Sequence, residues 1–334
     1  MKTSKWFAAS ALLPLWLASA CGGAGASSGK TADGLTKVKV APDWIAADIT
    51  WIPYTVGISN GFYKAAGLDV SLVPPPDNSS SVKIVASGQA DIAETTLTDQ
   101  VFAAKQSLPV ISIANLSQTN NWGFFTKTGA KLASPAALKG MKVGVFDDAW
   151  TKAMLGVVLR KAGLKATDIQ QVTATDSDIP LLIAGKIDVA TNTTNFGPPS
   201  YAEKTGAQPE TMPATGLGAP DIPIWNYAAS TRWLQKNPDL ARKWLAATAK
   251  ATEWAIANPD AAVKAYEAYH KLKPSGYATD LAEWKATVPL LKGSTGLFTA
   301  TDGQWTQLTQ ALVAAGQLDK ALPPSTYYTN KYIG

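Results

Sequence analysis

One unit near the start of the chain limits its fold more than any other feature. Val38-Lys39-Val40-Ala41 reads as a short strand, a helix-like segment follows and stops at Gly67, and Leu68 to Val73 alternates as a second strand. Gly67 sits where that helix should end, since glycine enters the left-handed conformation at no steric cost. Strand, loop, helix, strand is one α/β unit, and ligands of such units sit where loops leave the carboxyl ends of strands. This loop is rich in chemistry: Asp43, Trp44, Asp48, Trp51 and Tyr54 put two acids among three large aromatics within a dozen residues. The sequence therefore predicts that it forms half of a small-molecule pocket.

The alternation continues. Ser79 to Ser87 reads as a helix closed by Gly88, and Asp91-Ile92-Ala93 as a strand leading into Glu94-Thr95-Thr96-Leu97-Thr98-Asp99. That polar cluster is the second candidate pocket wall. It also reads as a helix start capped by Thr or Asp, and the two roles are compatible because an exposed helix start offers N–H groups to a ligand. Val110 to Ala114 has a buried-strand pattern, and Trp122 follows it closely. Met141 to Phe146, Lys152 to Ala162, Ile169 to Val172, Ile179 to Ala184 and Asp188 to Ala190 make a second α/β run. The polar stretch Thr191 to Gly197 in that run contributes Asn192, Asn195 and Phe196 as further candidates. Trp225 to Ala229 reads as a strand returning to the first lobe, with Trp225 at its start. The remainder is mostly helical. Asn237-Pro238-Asp239 and Asn258-Pro259-Asp260 repeat one start signal, a capping Asn before Pro and an acid. Trp244, Ala247, Ala251 and Trp254 fall on one helical face and are expected to pack, while His270 is expected in a solvated or capping role.

The 334 residues, 46% of them hydrophobic, suffice for two lobes. The net charge of +5 is scattered, without basic runs, which speaks against nucleic-acid binding. Lys2, Lys5 and an apolar stretch from Trp6 to Leu17 read as a secretion signal too short to span a bilayer. Ala18-Ser19-Ala20 before Cys21, the only cysteine, resembles the bacterial lipobox, so Cys21 is expected to carry a lipid; the alternative is a plain signal cut near Ala20. A Gly/Ala/Ser-rich segment after it should act as a flexible tether reaching roughly 20–24 Å. The expected organisation is signal peptide 1–20, tether 21–37, a first lobe from 38–123 and 225–334, and a second lobe from 124–224. No later segment reads as a transmembrane helix.

Several segments resemble a known family: Gly61-Phe62-Tyr63-Lys64-Ala65-Ala66-Gly67-Leu68-Asp69-Val70, Ala86-Ser87-Gly88-Gln89-Ala90-Asp91, Leu138 to Val145, Asn237-Pro238 through Val263, and Gly316-Gln317-Leu318 to Asn330. In this order they resemble the solute-binding lipoproteins of ABC importers, in the branch shared with fungal thiamine-pyrimidine synthases and with nitrate, taurine and sulfonate binders. The resemblance implies a type II periplasmic-binding-protein fold, two α/β lobes joined by two crossovers, here at Asn121 to Thr126 and Ile222 to Tyr227. It also implies an extracytoplasmic receptor that hands its ligand to a permease driven by an ATPase; together with the Cys21 reading, the protein is expected to be a membrane-anchored monomer with no catalysis, metal or cofactor.

The cargo must come from the pocket residues. An anion site should show helix amino ends with Arg or Lys nearby, whereas the candidate loops carry Asp43, Asp48, Glu94 and Asp99, with no Lys or Arg between Trp44 and Gly61. Such acids suit N–H donors or positive charge, and Trp44, Trp51, Tyr54 and Trp122 suit a stacking ring. An aminopyrimidine meets both demands, and Asp43-Trp44 resembles the opening of the pyrimidine-binding branch, although Ile45 to Ile49 stand where that branch has Pro-Asn and a His. The expected site comprises Asp43, Trp44, Trp51, Tyr54, Glu94, Thr95, Thr96, Trp122, Asn192, Asn195, Phe196 and Trp225. A flavin or a sulfonate-type anion are the alternative cargoes. A pyrimidine-synthase-like or carboxylate-based enzyme is the alternative from another class; His270 and Cys21, each the only one of its kind, leave no set for a triad or a His-based metal site.

Overall fold

Hydrophobic alternation near the amino end becomes a strand as expected. In the computed structural model, which describes residues 29–293 and 296–334, Val38 and Val40 are fully buried while Lys37 and Lys39 point to solvent. The leader, Cys21 and the tether as far as residue 28 lie outside the described residues. No helix among the described residues is long and apolar enough to cross a membrane.

Among the described residues, ten strands build the two main sheets. The first contains β1 (Thr36–Ala41), β2 (Leu68–Leu72), β3 (Ile92–Thr96) and β4 (Val110–Asn115); the second contains β5 (Trp122–Thr126), β6 (Lys142–Phe146), β7 (Gln170–Ala174), β8 (Ala190–Thr193) and β9 (Glu210–Pro213). β10 (Trp225–Ser230) returns to the first sheet, whose order is β2-β1-β3-β10-β4, with β10 antiparallel to both neighbours. In the second, β6 pairs with β7 and β5 lies between β8 and β9. A Val143–Val189 bridge, with Gly144 N donating to Val189 O at 2.8 Å, joins these groups into the order β7-β6-β8-β5-β9. The two sheets thus share one plan: in each, the fourth strand directly follows a connection from the other sheet and runs antiparallel to its neighbours.

β5 and β10 are paired along their lengths, so the connections between the sheets lie a few residues earlier than the sequence suggested, at 116–121 and 218–224. They run side by side. Ser117 Oγ accepts from Ile224 N at 3.0 Å and Trp225 N at 3.1 Å, and Asp221 Oδ1 accepts from Asn120 N at 3.0 Å.

The C-terminal helices complete the first sheet's cover. Helix Pro238–Ala257 lays Trp244, Ala247 and Ala251 against helix Ile52–Ser59, and Trp244, fully buried, meets Tyr227 edge-on at 5.0 Å and stacks on Tyr63 at 6.4 Å. The two Asn-Pro signals mark helix starts, but their amides act backwards: Asn237 Nδ2 donates to Trp233 O and Asn258 Nδ2 to Trp254 O, closing the preceding helices. His270 is not a capping residue at the surface. It is half-buried among Trp51, Tyr266 and Tyr269, and burial holds its pKa below the usual value. The tail covers the open edge of β4, with Ser112 N donating to Tyr327 O at 2.9 Å and Asn115 N to Phe298 O at 2.8 Å, which removes an unpaired strand edge.

Candidate functional site

The carboxyl ends of the parallel strands of both sheets open onto one cavity of about 280 Å³, at the small end of the range of about 300–1,000 Å³ for small-molecule sites. The loop after β1 brings Asp43, Trp44 and Asp48; the segment after β2 brings Asn78, Ser79 and Ser81; the end of β3 brings Thr95, Thr96 and Asp99. From the second sheet come Trp122, Phe146, Asp148, Trp150, Asp176, Asn192 and Phe196, with Trp225 at the return of the chain and Glu283 from helix Tyr277–Leu291. The strand-end loops touch across the cleft: Trp44 meets Phe146 edge-on at 5.4 Å, and Asn78 Nδ2 donates to Thr175 O at 3.3 Å.

Eight of the twelve residues expected in the site line this cavity: Asp43, Trp44, Thr95, Thr96, Trp122, Asn192, Phe196 and Trp225. Four stand behind the wall. Glu94 lies inside β3, not beyond it, and all five residues of that strand are buried because the sheet is covered on both faces. Its Oε2 accepts from Tyr54 Oη at 2.5 Å, and Tyr54 is itself fully buried against Tyr227 and Trp244. Trp51, 2% exposed, packs toward His270. Asn195 links elements: Asn121 Nδ2 donates to its Oδ1 at 2.7 Å, and its Nδ2 donates to Thr287 Oγ1 at 2.9 Å.

Sequence reasoning missed Asp148, Trp150, Asp176 and Glu283. The first three follow β6 and β7 directly, so the strand-end rule applied to the first lobe would have found them; Glu283 has no local signal. Asp178 supports the wall from behind. It is fully buried, accepting from Thr191 N at 2.6 Å and Asn192 Nδ2 at 3.1 Å, which holds β8 and Asn192 at the cavity.

The electrostatics follow from two facts. Among the described residues, six acids line the cavity, Asp43, Asp48, Asp99, Asp148, Asp176 and Glu283, and no Lys, Arg or His does. Three of the acids already occupy helix amino ends. Asp48 Oδ1 accepts from Thr50 N at 2.8 Å, Asp148 Oδ1 from Thr151 N at 2.7 Å, and Asp99 Oδ2 from Thr96 N at 3.1 Å in a reciprocal capping box. Burial drives Asp148 up to about 6, with the charge of Asp99 adding to it and the bonds from Thr151 opposing. Burial likewise drives Asp48 to about 6 and Glu283 to about 9, the latter reinforced by Asp48 and Asp280. Asp43 is raised by burial and then by Glu94, Asp48 and Asp99, and its Oδ1 has no hydrogen-bond partner among the described residues. The cavity can therefore hold a flat ring between aromatic faces and take up N–H donors or positive charge, and it offers few free donors to an anion. Among the described residues, no group of three or more His, Cys, Asp or Glu is arranged to hold a metal ion.

Residues 48–262 match the family described as NMT1/THI5 like. A 4-amino-5-hydroxymethyl-2-methylpyrimidine phosphate synthase of Saccharomyces cerevisiae is 25% identical over 296 residues, 84% of this chain and 84% of the yeast protein. A formylaminopyrimidine-binding protein of Halalkalibacterium halodurans is 29% identical over 166 residues, 48% of either chain. Among solved structures, the periplasmic aliphatic sulphonate binding protein SsuA of Escherichia coli is similar at a TM-score of 0.68 and 16% identity, over 88% of this chain and 92% of that one. On the extent of the family match and the shared two-sheet plan, the chain belongs to the NMT1/THI5-like family and has the periplasmic-binding-protein fold.

Proposed function

We propose that the protein is the extracytoplasmic solute-binding component of an ABC importer, capturing a small flat heteroaromatic nutrient between its sheets and passing it to a permease. The observation that carries this reading is the cavity itself: aromatic side chains from both sheets, Trp44, Trp122, Phe146, Trp150, Phe196 and Trp225, among polar groups that accept hydrogen bonds. An aminopyrimidine fits such a site by stacking and by donating to carboxylates. The relatives named above are a pyrimidine phosphate synthase and a formylaminopyrimidine-binding protein, which supports that ring class. A sulfonate fits poorly, because the helix amino ends that would meet it are already capped by Asp48, Asp99 and Asp148.

A binding role is favoured over a synthase role by the lining, which among the described residues holds no His, Cys or Lys, so that catalysis would fall to its carboxyl and hydroxyl groups alone. Anchoring through a lipidated Cys21 would keep the receptor near its permease. The reading is tested by thermal shift and calorimetry with 4-aminopyrimidines, flavins, alkanesulfonates and nitrate, followed by mass spectrometry of the bound compound. Stabilisation by a flat ring recovered unchanged is the expected result. Binding of the anions alone, or release of an altered product, would overturn it.

A further inference from the structure

We infer that the ligand is an organic cation, its positive charge held between carboxylates of the two sheets, Asp48 and Asp99 on one side and Asp148 and Asp176 on the other. This rests on the reading of the cavity as a ligand site and adds the sign of what enters it.

Charge inventory is the first support. Six carboxyl groups share about 280 Å³ with no basic residue in the wall among the described residues; Glu283, raised to about 9, is neutral at pH 7.5, whereas Asp48 and Asp148, at about 6, are ionised there. The basic side chains that act on them, Lys83 on Asp99 and Lys204 on Glu283, stand outside the lining and are weaker influences than burial. A second support is independent of charge counting. The N–H groups of the helix starts at Thr50, Asp99 and Thr151, which would favour an anion, donate instead to the protein's own side chains, Asp48, Thr96 and Asp148. The cavity therefore presents the acceptor side of each cap. Third, aromatic side chains line the same cavity as these acids, and a cation that sits over a ring face is attracted by its quadrupole. Fourth, Asp43 Oδ1 lies in the wall, buried and without a partner among the described residues, an acceptor waiting for a donor.

Closure gives the charge a role. Trp44 meets Phe146 across the cleft, and the charges of Asp99 and Asp176 act on Asp148 and Asp48 from the opposite sheet. Without a ligand this arrangement is opposed by like charges unless protons neutralise them. A cation between the sheets binds the closed form better than the open one, and this differential affinity is what a closing receptor requires.

The test uses rings matched except for charge: 4-aminopyrimidine against 1-methyl-4-aminopyrimidinium, and nicotinamide against 1-methylnicotinamide, with spermidine as a cation lacking a ring. Calorimetry and thermal shift at pH 7.5 on the full mature chain should give each permanent cation at least tenfold tighter binding than its neutral partner. D148N/D176N should reduce that preference at least tenfold; circular dichroism confirms its fold, and the wild-type comparison stands without it. Equal or tighter binding of the neutral rings overturns the charge inference and leaves the heteroaromatic reading intact. Binding of spermidine but of no ring supports the charge and sinks the heteroaromatic reading. Failure of every cation overturns the inference.

Discussion

Asp148 should make the unliganded protein less stable than it could be, and Asp148→Asn measures by how much. The residue is 8% exposed and begins helix Ala149–Lys161 by accepting from Thr151 N. Asn caps a helix about as well as Asp, so the cap survives the exchange. What disappears is a buried charge whose ionisation lies near pH 6, against 3.8 for an ordinary Asp. At about 1.36 kcal/mol per pH unit, carrying that charge at pH 8 costs on the order of 3 kcal/mol. Loss of the favourable interaction with the helix dipole returns about 0.3–1 kcal/mol, so the gain wins by roughly 2 kcal/mol. The sign with pH is fixed. A carboxyl with a raised folded pKa stabilises below the unfolded value and loses that contribution as pH climbs from about 4 through about 6. Thermal midpoints of wild type and D148N should therefore nearly coincide at pH 4 and separate by several degrees at pH 8, the variant higher. A separation equal at both pH values, or a less stable variant at pH 8, would refute burial of the charge as its cause. Binding of a cation by the same variant should weaken, so stability and function move in opposite directions.

Glu94→Gln should change stability by less than about 1 kcal/mol at pH 7, because burial raises Glu94 to about 8 and leaves it neutral there, and Gln still accepts from Tyr54; Glu94→Ala should cost about 1–3 kcal/mol by orphaning that hydroxyl, and equal losses for both in urea titrations would contradict the neutral state. Trp44→Ala should weaken binding of an aromatic ligand about tenfold with little change in thermal midpoint, since Trp44 is a half-buried wall residue touching Phe146; unchanged affinity by calorimetry would remove it from the site. Gly123→Ala should destabilise by about 1–3 kcal/mol, because a Cβ there would lie 2.9 Å from Met212 O on the neighbouring strand; a wild-type thermal midpoint would show that β5 and β9 can separate at no cost.

The α/β alternation and its stops were legible because hydrophobic period and glycine punctuation are local: Gly67 and Gly88 do adopt positive φ at helix ends, +77° and +80°. The pocket was legible only in part. Asp43 and Trp44 follow from the strand-end rule, but that rule cannot say which residues of a polar cluster belong to the strand. Glu94 was read as beyond β3, and being inside it turns its side chain toward Tyr54 and away from the cavity. Tyr54 and Trp51 belong to the helical turns after the loop, where the C-terminal helices cover them; that cover comes from residues about 200 positions away. Asn195 looked like a ligand group because it is polar in a loop, and its partners Asn121 and Thr287 are distant in sequence. Glu283 reaches the cavity for the same reason, through tertiary packing that no local pattern encodes.

The position of β10 has a consequence for the order in which the protein can acquire its structure. β10 lies between β3 and β4, so those two strands have no hydrogen-bonded neighbour in common until residues 225–230 have been made. The second sheet draws all its strands from residues 122–213, a contiguous stretch, and can close on itself earlier. Emerging from synthesis or from a translocation pore, the amino-terminal third would leave β3 and β4 with open edges while the central third folds. During that interval the exposed edges are the chain's main aggregation hazard, and a delay just before Trp225 would prolong it. A chain truncated after residue 213 should retain a foldable second sheet and a first one that never completes.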